Sequence, residues 1–250
     1  MNIFDIPAFT DNYIWALQVD NSITLVDPGD AMPVLEVVER KNLEIKDILI
    51  THHHFDHTGG LSELKKYISG KVYGPKKSNI SEIDISVIEG NSIETLGLEF
   101  RVIETPGHTL DHIAFYCKHA DVLFCGDTLF SAGCGRLFEG TYAQLYTSIQ
   151  KINELPDETK IYCGHEYTLS NLEFVKSQIN SEIIKIKYEE TLEIRSMGKN
   201  TLPSTLSTER KINPFLLETV PADIQDLKPV DCFKELRIRK DNFSELFFPF

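Results

Sequence analysis

"LITHHHFDHTGGL", residues 49–61, sets an apolar strand end against four histidines and one aspartate within six positions: His52, His53, His54, Asp56 and His57. Crowded together without a partner, such groups would leave polar needs unmet, at about 1–3 kcal/mol per unsatisfied group. A bound cation turns those liabilities into ligands. Where a strand end is still extended, side chains at i and i+2 share a face, so His52 and His54 are expected to grip one ion. Asp56 and His57 are adjacent and cannot both keep that alternation, so they are expected to face a second ion. His53 alternates away from its neighbours and reads as outward-facing. The Thr-Gly-Gly at 58–60 frees the backbone to turn into a helix starting near Leu61.

One loop does not complete two sites, and three further polar groups follow buried apolar runs. "ETPGHTLDH" supplies His108, "VLFCGDTLF" supplies Asp127, and "KIYCGHEYT" supplies His165. Open α/β sheets bind ligands at such strand ends. The ligand count then closes: His52, His54 and His108 for one ion, Asp56, His57 and His165 for the other, and Asp127 across both. Nitrogen and oxygen donors without thiolate suit zinc, iron or manganese, with zinc the expected metal and two ions per chain. Metals about 3.5–4 Å apart can share a water and lower its pKa, so hydrolysis is the expected chemistry, with Asp56 orienting the water and Asp127 spanning the ions. His112 reads as a supporting group, and His119 as exposed.

Composition narrows the class. The 250 residues are 42% hydrophobic with 10% aromatic, which is globular, and no apolar run approaches the ~20 residues of a membrane helix. The N-terminus lacks the basic segment and apolar stretch of a signal peptide. Five cysteines without CxxC spacing point to free thiols and a cytoplasmic location, with Cys125, Cys134 and Cys163 read as small buried residues. A net charge of −13 disfavours nucleic acid and anionic membranes as partners. A small-molecule substrate and a monomer are the expectation. Residues 1–165 hold 13 Lys/Arg against 24 Asp/Glu, whereas 166–250 hold 12 against 14.

Nine strand-length runs occupy the first two-thirds: "YIWALQV", "SITLVD", "IKDILIT", "KVYG", "SVIEG", "EFRVIET", "HIAFYC", "DVLFCGD" and "KIYCGH". "MPVLEVVERK", "LSELKKYI" and "YAQLYTSIQKINEL" show helical spacing between them. After His165, "TLSNLEFVKSQIN" and "SEIIKIKYEETLEIRSMGK" read as helices, "LPSTLSTERKINPF" as a connection, and "DIQDL" and "CFKELRIRKDNF" as further helices. The fold class is α/β, with a catalytic domain at 1–165 and a smaller helical domain at 166–250.

"THHHFDHTGG" matches the T-H-x-H-x-D-H signature, and with "GHT", "GDTLF" and "CGHE" in order the chain resembles the metallo-β-lactamase superfamily. That resemblance implies an αββα sandwich. "IPAFTDNYIWAL", "GCGRLFEGT", "GHEYT", "LPSTLSTERKINPF" and "RIRKDNF" extend the likeness over nearly the whole chain to the glyoxalase II (hydroxyacylglutathione hydrolase) family. Its members hydrolyse S-D-lactoylglutathione to D-lactate and glutathione in methylglyoxal detoxification. Carried over by motif, the glutathione contacts would be Arg136, Phe138, Tyr167, Arg237 and Lys240. Position 138 is Phe where many members have Tyr, and Leu217 stands where bacterial members often have Arg. The closing "SELFFPF" reads as a cover for an apolar groove or a local packing extension. A glutathione-persulfide dioxygenase is the nearest rival activity, other hydrolases of this fold come next, and a non-catalytic metal-binding protein is the rival of another class.

Overall fold

The computed structural model describes the backbone of residues 1–247 and the side chains of residues 1–243, so the groove-covering expectation for the last residues lies outside the described part. One sheet comprises β1 (Asn2–Ala8), β2 (Asn12–Val19), β3 (Ser22–Val26), β4 (Glu44–Leu49), β5 (Val72–Pro75) and β6 (Ile85–Val87), in that spatial order. Its first three strands are antiparallel and β3 to β6 run parallel. The parallel part needs crossovers, supplied by α1 (Ala31–Lys41) and by the short α2 (Phe55–Thr58) and α3 (Leu61–Leu64). The second sheet contains β7 (Ser92–Thr95), β8 (Leu98–Glu104), β9 (Ile113–Cys117) and β10 (Val122–Gly126). A hairpin of β11 (Leu129–Phe130) and β12 (Gly133–Cys134) follows, then α4 (Tyr142–Asn153) and β13 (Lys160–Cys163), which pairs parallel to β10. The chain continues through α5 (Thr168–Gln178), α6 (Glu182–Ser196), the edge strand β14 (Ser204–Thr205), α7 (Leu206–Ile212) and α8 (Pro229–Phe247).

Strand alternation explains why both sheets are buried on both faces. In β2, Tyr13, Trp15 and Leu17 point into the cluster between the sheets, while Ile14 and Ala16 join the cluster under α1 and α3. β9 is buried at all five positions. On the far side of the second sheet, Leu145 and Ile149 of α4, Phe174 of α5, Leu206 of α7 and Phe233 of α8 belong to the same apolar cluster as Phe115 and Phe124. The layers are therefore helix, sheet, sheet, helix. A buried bridge ties the sheets: Thr95 Oγ1 donates to Asp47 at 2.6 Å and meets Thr24 Oγ1 at 2.6 Å.

All nine strand-length runs form strands, and the structure adds β1, β7, the β11–β12 hairpin and β14. The run "LSELKKYI" is helical only over Leu61–Leu64. "DIQDL" folds as turns between Pro221 and Pro229, too short a span to repay helix nucleation. "LPSTLSTERKINPF" is not a plain connection: it forms β14, α7 and a 3₁₀ turn at Pro214–Leu216. Thr205 caps α7 by accepting from Thr208 N, and Glu209 is wholly buried within it.

Candidate metal centre

The carboxyl ends of β3, β4, β8, β10 and β13 all lie on one edge of the sandwich, and backbone hydrogen bonds zip the loops that follow them. Ile113 N donates to Thr51 O at 2.9 Å, Gly164 N to Gly126 O at 3.0 Å and Tyr13 N to Gly164 O at 2.8 Å. Two tight points fix this edge. Gly29 packs so closely that a Cβ would sit 1.8 Å from the Asp56 carbonyl oxygen. Gly126 has a φ of +47°, and its Cβ would meet Thr51 Oγ1 at 2.3 Å. The next residue, Asp127, is thereby delivered into the cluster.

The seven expected ligands converge. His54 Nδ1 lies 3.0 Å from His108 Nε2, and His108 Nε2 is 3.5 Å from Asp127 Oδ2. His165 Nε2 is 3.2 Å from Asp127 Oδ2 and 3.4 Å from Asp56 Oδ2. His57 Nε2 is 3.4 Å from Asp127 Oδ1 and 3.5 Å from Asp56 Oδ2. Three groups at this centre have ligand atoms within 4.8 Å of one another: His52/His54/His108 and Asp56/His57/His165, as expected, and Asp27/His52/His57, which Asp27 joins from the far side of the rings. Asp56 and His57 reach theirs from the single turn α2 rather than from an open loop.

Orientation follows from hydrogen-bond roles. A carboxylate only accepts, so His57 Nδ1 donates to Asp27 at 3.0 Å and His165 Nδ1 to Asp11 at 2.8 Å. His108 Nδ1 donates to the Arg136 carbonyl at 2.8 Å. Thr51 Oγ1 gives its proton to Asp27 at 2.6 Å, so its oxygen accepts from His52 Nδ1 at 3.0 Å. Nε2 is therefore the ring nitrogen that each of these four imidazoles turns to the centre, the arrangement by which carboxylates and carbonyls orient ligating histidines. His52 Nε2, His57 Nε2 and Asp127 Oδ1 are buried with no hydrogen-bond partner. Buried unpartnered nitrogen and carboxylate atoms converging on one point fit cations.

Electrostatics agree. Burial holds His52, His54 and His108 below the usual imidazole range, hence neutral. Burial opposes charge on Asp127 and Asp56, yet the surrounding histidines hold both carboxyls well below their ordinary range. Burial likewise presses on His57 and His165, but Asp127 overrides it and raises both. Two ionised carboxylates in a buried nest of imidazoles give a site that draws positive charge. His112 stands behind it: Asp127 N donates to its Nε2 at 3.1 Å, leaving Nδ1 to face Thr105 and Thr128.

The other expected contacts are placed as follows. Tyr167 stacks on His165 at 4.7 Å and 5°. Phe138 is 63% exposed, with its ring edge-on to His54 and His108. Arg136 Nε donates to Asp241 at 3.3 Å, and the same carboxylate oxygen accepts from Arg237 Nη2 at 3.0 Å. Arg237 is 4% exposed and also donates to the Cys134 carbonyl at 2.9 Å. Lys240 is held against α5, donating to the Ser170 carbonyl at 3.1 Å. The orienting residues Asp27, Asp11, Asn12 and Thr51 are absent from the expected set. Asp27 alone carried a sequence signal, an acid ending the apolar run "SITLVD"; in the structure it takes a left-handed φ of 52°. Cys125, Cys134 and Cys163 are buried thiols, and His119 is exposed, as read.

Over residues 9–165 the chain matches the metallo-beta-lactamase superfamily, and over residues 166–243 the hydroxyacylglutathione hydrolase C-terminus. It is 46% identical to hydroxyacylglutathione hydrolase of Serratia proteamaculans, spanning 97% of this chain and 100% of that one. The corresponding protein of Pseudomonas fluorescens is 48% identical over the same shares. Among solved structures, BLEG-1 B3 metallo-beta-lactamase aligns with a TM-score of 0.66 at 26% identity, covering 86% of this chain and 99% of that one. ETHE1 from Myxococcus xanthus aligns with a TM-score of 0.65 at 23% identity over 98% and 99% of the two chains, a likeness of fold alone.

Proposed function

Since the chain belongs to the hydroxyacylglutathione hydrolase family of the metallo-beta-lactamase superfamily, we propose that it hydrolyses S-D-lactoylglutathione to D-lactate and glutathione at a pair of metal ions, zinc in the first instance. The observation that carries this reading is the inward convergence of imidazole and carboxylate atoms from four separate chain segments, with His52 Nε2, His57 Nε2 and Asp127 Oδ1 buried and partnerless among them. His52, His54 and His108 would hold one ion, Asp56, His57 and His165 the other, and Asp127 both. Such ions supply an activated water and an electrophile for the thioester carbonyl.

The chain's own groups do the rest. Asn12 Nδ2 donates to Asp56 Oδ2 at 2.9 Å and fixes its carboxylate, which is 38% exposed and so reaches the mouth. Remaining ionised, Asp56 accepts a hydrogen bond from the attacking water and orients it. Asp127, almost wholly buried, keeps its charge between the two ligand sets. Expulsion of glutathione needs no dedicated acid, because a thiolate leaves readily. Arg136, Phe138, Tyr167, Arg237 and Lys240 form the glutathione side, focusing positive charge in a chain of net −13. Residues 1–165 then form the catalytic unit and 166–250 the unit that grips the tripeptide. We take the protein to be a monomer of the reducing cytoplasm, in keeping with five buried, unpaired cysteines. No helix among the described residues is long and apolar enough to cross a membrane.

The deciding experiment strips metal with a chelator, reloads zinc, and follows thioester cleavage and metal content together. Hydrolysis should vanish on stripping and return at two equivalents of zinc. Activity indifferent to the chelator would defeat the proposal, as would oxygen uptake on glutathione persulfide in place of hydrolysis.

The Lys240 contact has its own pH signature. Burial, together with the neighbouring Arg237 charge, pushes the Lys240 ammonium down to about 8. The cation is present below that pH and lost above it, about nine in ten being neutral one unit higher. KM for the glutathione thioester should rise roughly fivefold between pH 7 and 9 with kcat unaffected, a cost of about 1 kcal/mol. Lys240→Arg keeps its charge and should flatten that rise. A wild-type KM that is level across this range removes Lys240 from the substrate site.

A further inference from the structure

Four of the five ligand histidines have their outer nitrogen fixed by Thr51, Asp27, Arg136 or Asp11. His54 is the exception. It turns Nδ1 inward, and among the described residues nothing hydrogen-bonds its Nε2. Besides the ligand rings of His52 and His108, two rings pack edge-on against it: His53 at 5.1 Å and 74°, and Phe138 at 5.3 Å and 90°.

His53 is itself held at both ends. Its Nδ1 lies 2.9 Å from Asp111 Oδ1, and its Nε2 lies 3.4 Å from Glu139 Oε1. The same Asp111 oxygen accepts the Thr109 hydroxyl at 2.7 Å, and Glu139 Oε2 accepts the Leu110 amide at 2.8 Å. The loops carrying Asp111 and Glu139 are already joined, with Phe138 N donating to His108 O at 3.2 Å and Gly140 N to Gly107 O at 3.0 Å. His53 straps the metal loop to that joined pair.

We propose that His53 is a positioning residue: its ring, pinned between Asp111 and Glu139, holds the His54 ring in its ligating rotamer in place of a hydrogen bond to His54 Nε2. This rests on the two-ion reading of the site. His53, Asp111 and Glu139 also lie close enough to share a cation, with ligand atoms within 4.8 Å. Against that, each ring nitrogen already faces a carboxylate of its own, whereas a cation would use only one.

The test compares zinc-loaded wild type with His53→Ala, His53→Gln and Glu139→Gln. Affinity of each ion is measured by competition with a chromophoric chelator, and the cobalt-substituted forms are compared by absorption spectrum. In His53→Ala one ion should bind about 10- to 100-fold more weakly, the range for losing an orienting partner, with the other unchanged. Its kcat should fall severalfold at a KM within twofold of wild type. His53→Gln, which keeps a donor for Asp111, should recover most of both losses. Glu139→Gln lies on the rim and should show a smaller shift of the same sign, so it carries the test if His53→Ala fails to fold. Unchanged metal affinities overturn the proposal, as does equal weakening of both ions with a general loss of stability. A third equivalent of metal that disappears in Glu139→Gln also overturns it. Failure of wild type to cleave the thioester would count against the function alone, because the affinity and spectral measurements need no substrate.

Discussion

Asp127→Ala is expected to cut thioester turnover by at least about a thousandfold, or ~4 kcal/mol of transition-state stabilisation, while the protein stays folded. The side chain contacts His57, His108 and His165 at 3.2–3.5 Å, and its Oδ1 has no hydrogen-bond partner. Its removal therefore costs the fold little, since the Asp127 amide still donates to His112. The loss falls on the ions, which would no longer share a ligand, and metal content should drop from two per chain to one or none. Circular dichroism and thermal melting of the zinc-loaded variant provide the control. Retention of both ions, or of a tenth of wild-type turnover, would remove Asp127 from the bridging role.

Glu209→Ala should do the reverse, taking stability first. Its carboxylate is wholly buried, and burial pushes the carboxyl above its ordinary range. It nonetheless accepts from Ser131 Oγ at 2.9 Å, Ala132 N at 2.7 Å, Asn213 Nδ2 at 3.2 Å and the Ser204 hydroxyl. Truncation strands the Ala132 amide, which sits in the β11–β12 turn at a φ of 55°, and removes the carboxylate that joins that turn to α7 and β14, leaving Asn213 Nδ2, which donates to the Phe130 and Gly133 carbonyls, as the remaining polar tie to α7. Losing hydrogen bonds to a charged group and orphaning a buried donor together cost about 4 kcal/mol. In a chain of this size that lowers Tm by about 10 °C. Glu209→Gln keeps one acceptor oxygen and should lose less than half as much. A melting point for Glu209→Ala within 2 °C of wild type would show that the turn is held by its apolar contacts alone.

These two residues mark how far the sequence could be read. Asp127 was legible because a buried strand that ends in a carboxylate has no packing reason to do so. The same local logic exposed His52, His54, Asp56, His57, His108 and His165, and strand-length apolar runs located nine of the strands. Glu209 was not legible. In "LPSTLSTERKINPF" the Pro and Ser density suggests solvent-facing chain, and only the fold shows Ser131 and Ala132 of the β11–β12 turn joining Ser204 and Asn213 of the same stretch as donors to that carboxylate.

Local patterning by itself gave the α/β class and the proposed ligand set, because strand alternation and the cost of a polar group after an apolar run act within a few residues; the two-sheet sandwich was implied only by the family resemblance. The orienting groups were decided by tertiary structure. Asp27 reaches His57 across 30 positions, Asp11 reaches His165 across 154, and Arg136 turns a carbonyl to His108 across 28. A hydrogen bond has no sequence range, so only the packed chain could say which way each imidazole faces. The same holds for Arg237 and Lys240, whose charges a sequence would leave in solvent and which the fold buries against Cys134, Asp241 and Ser170.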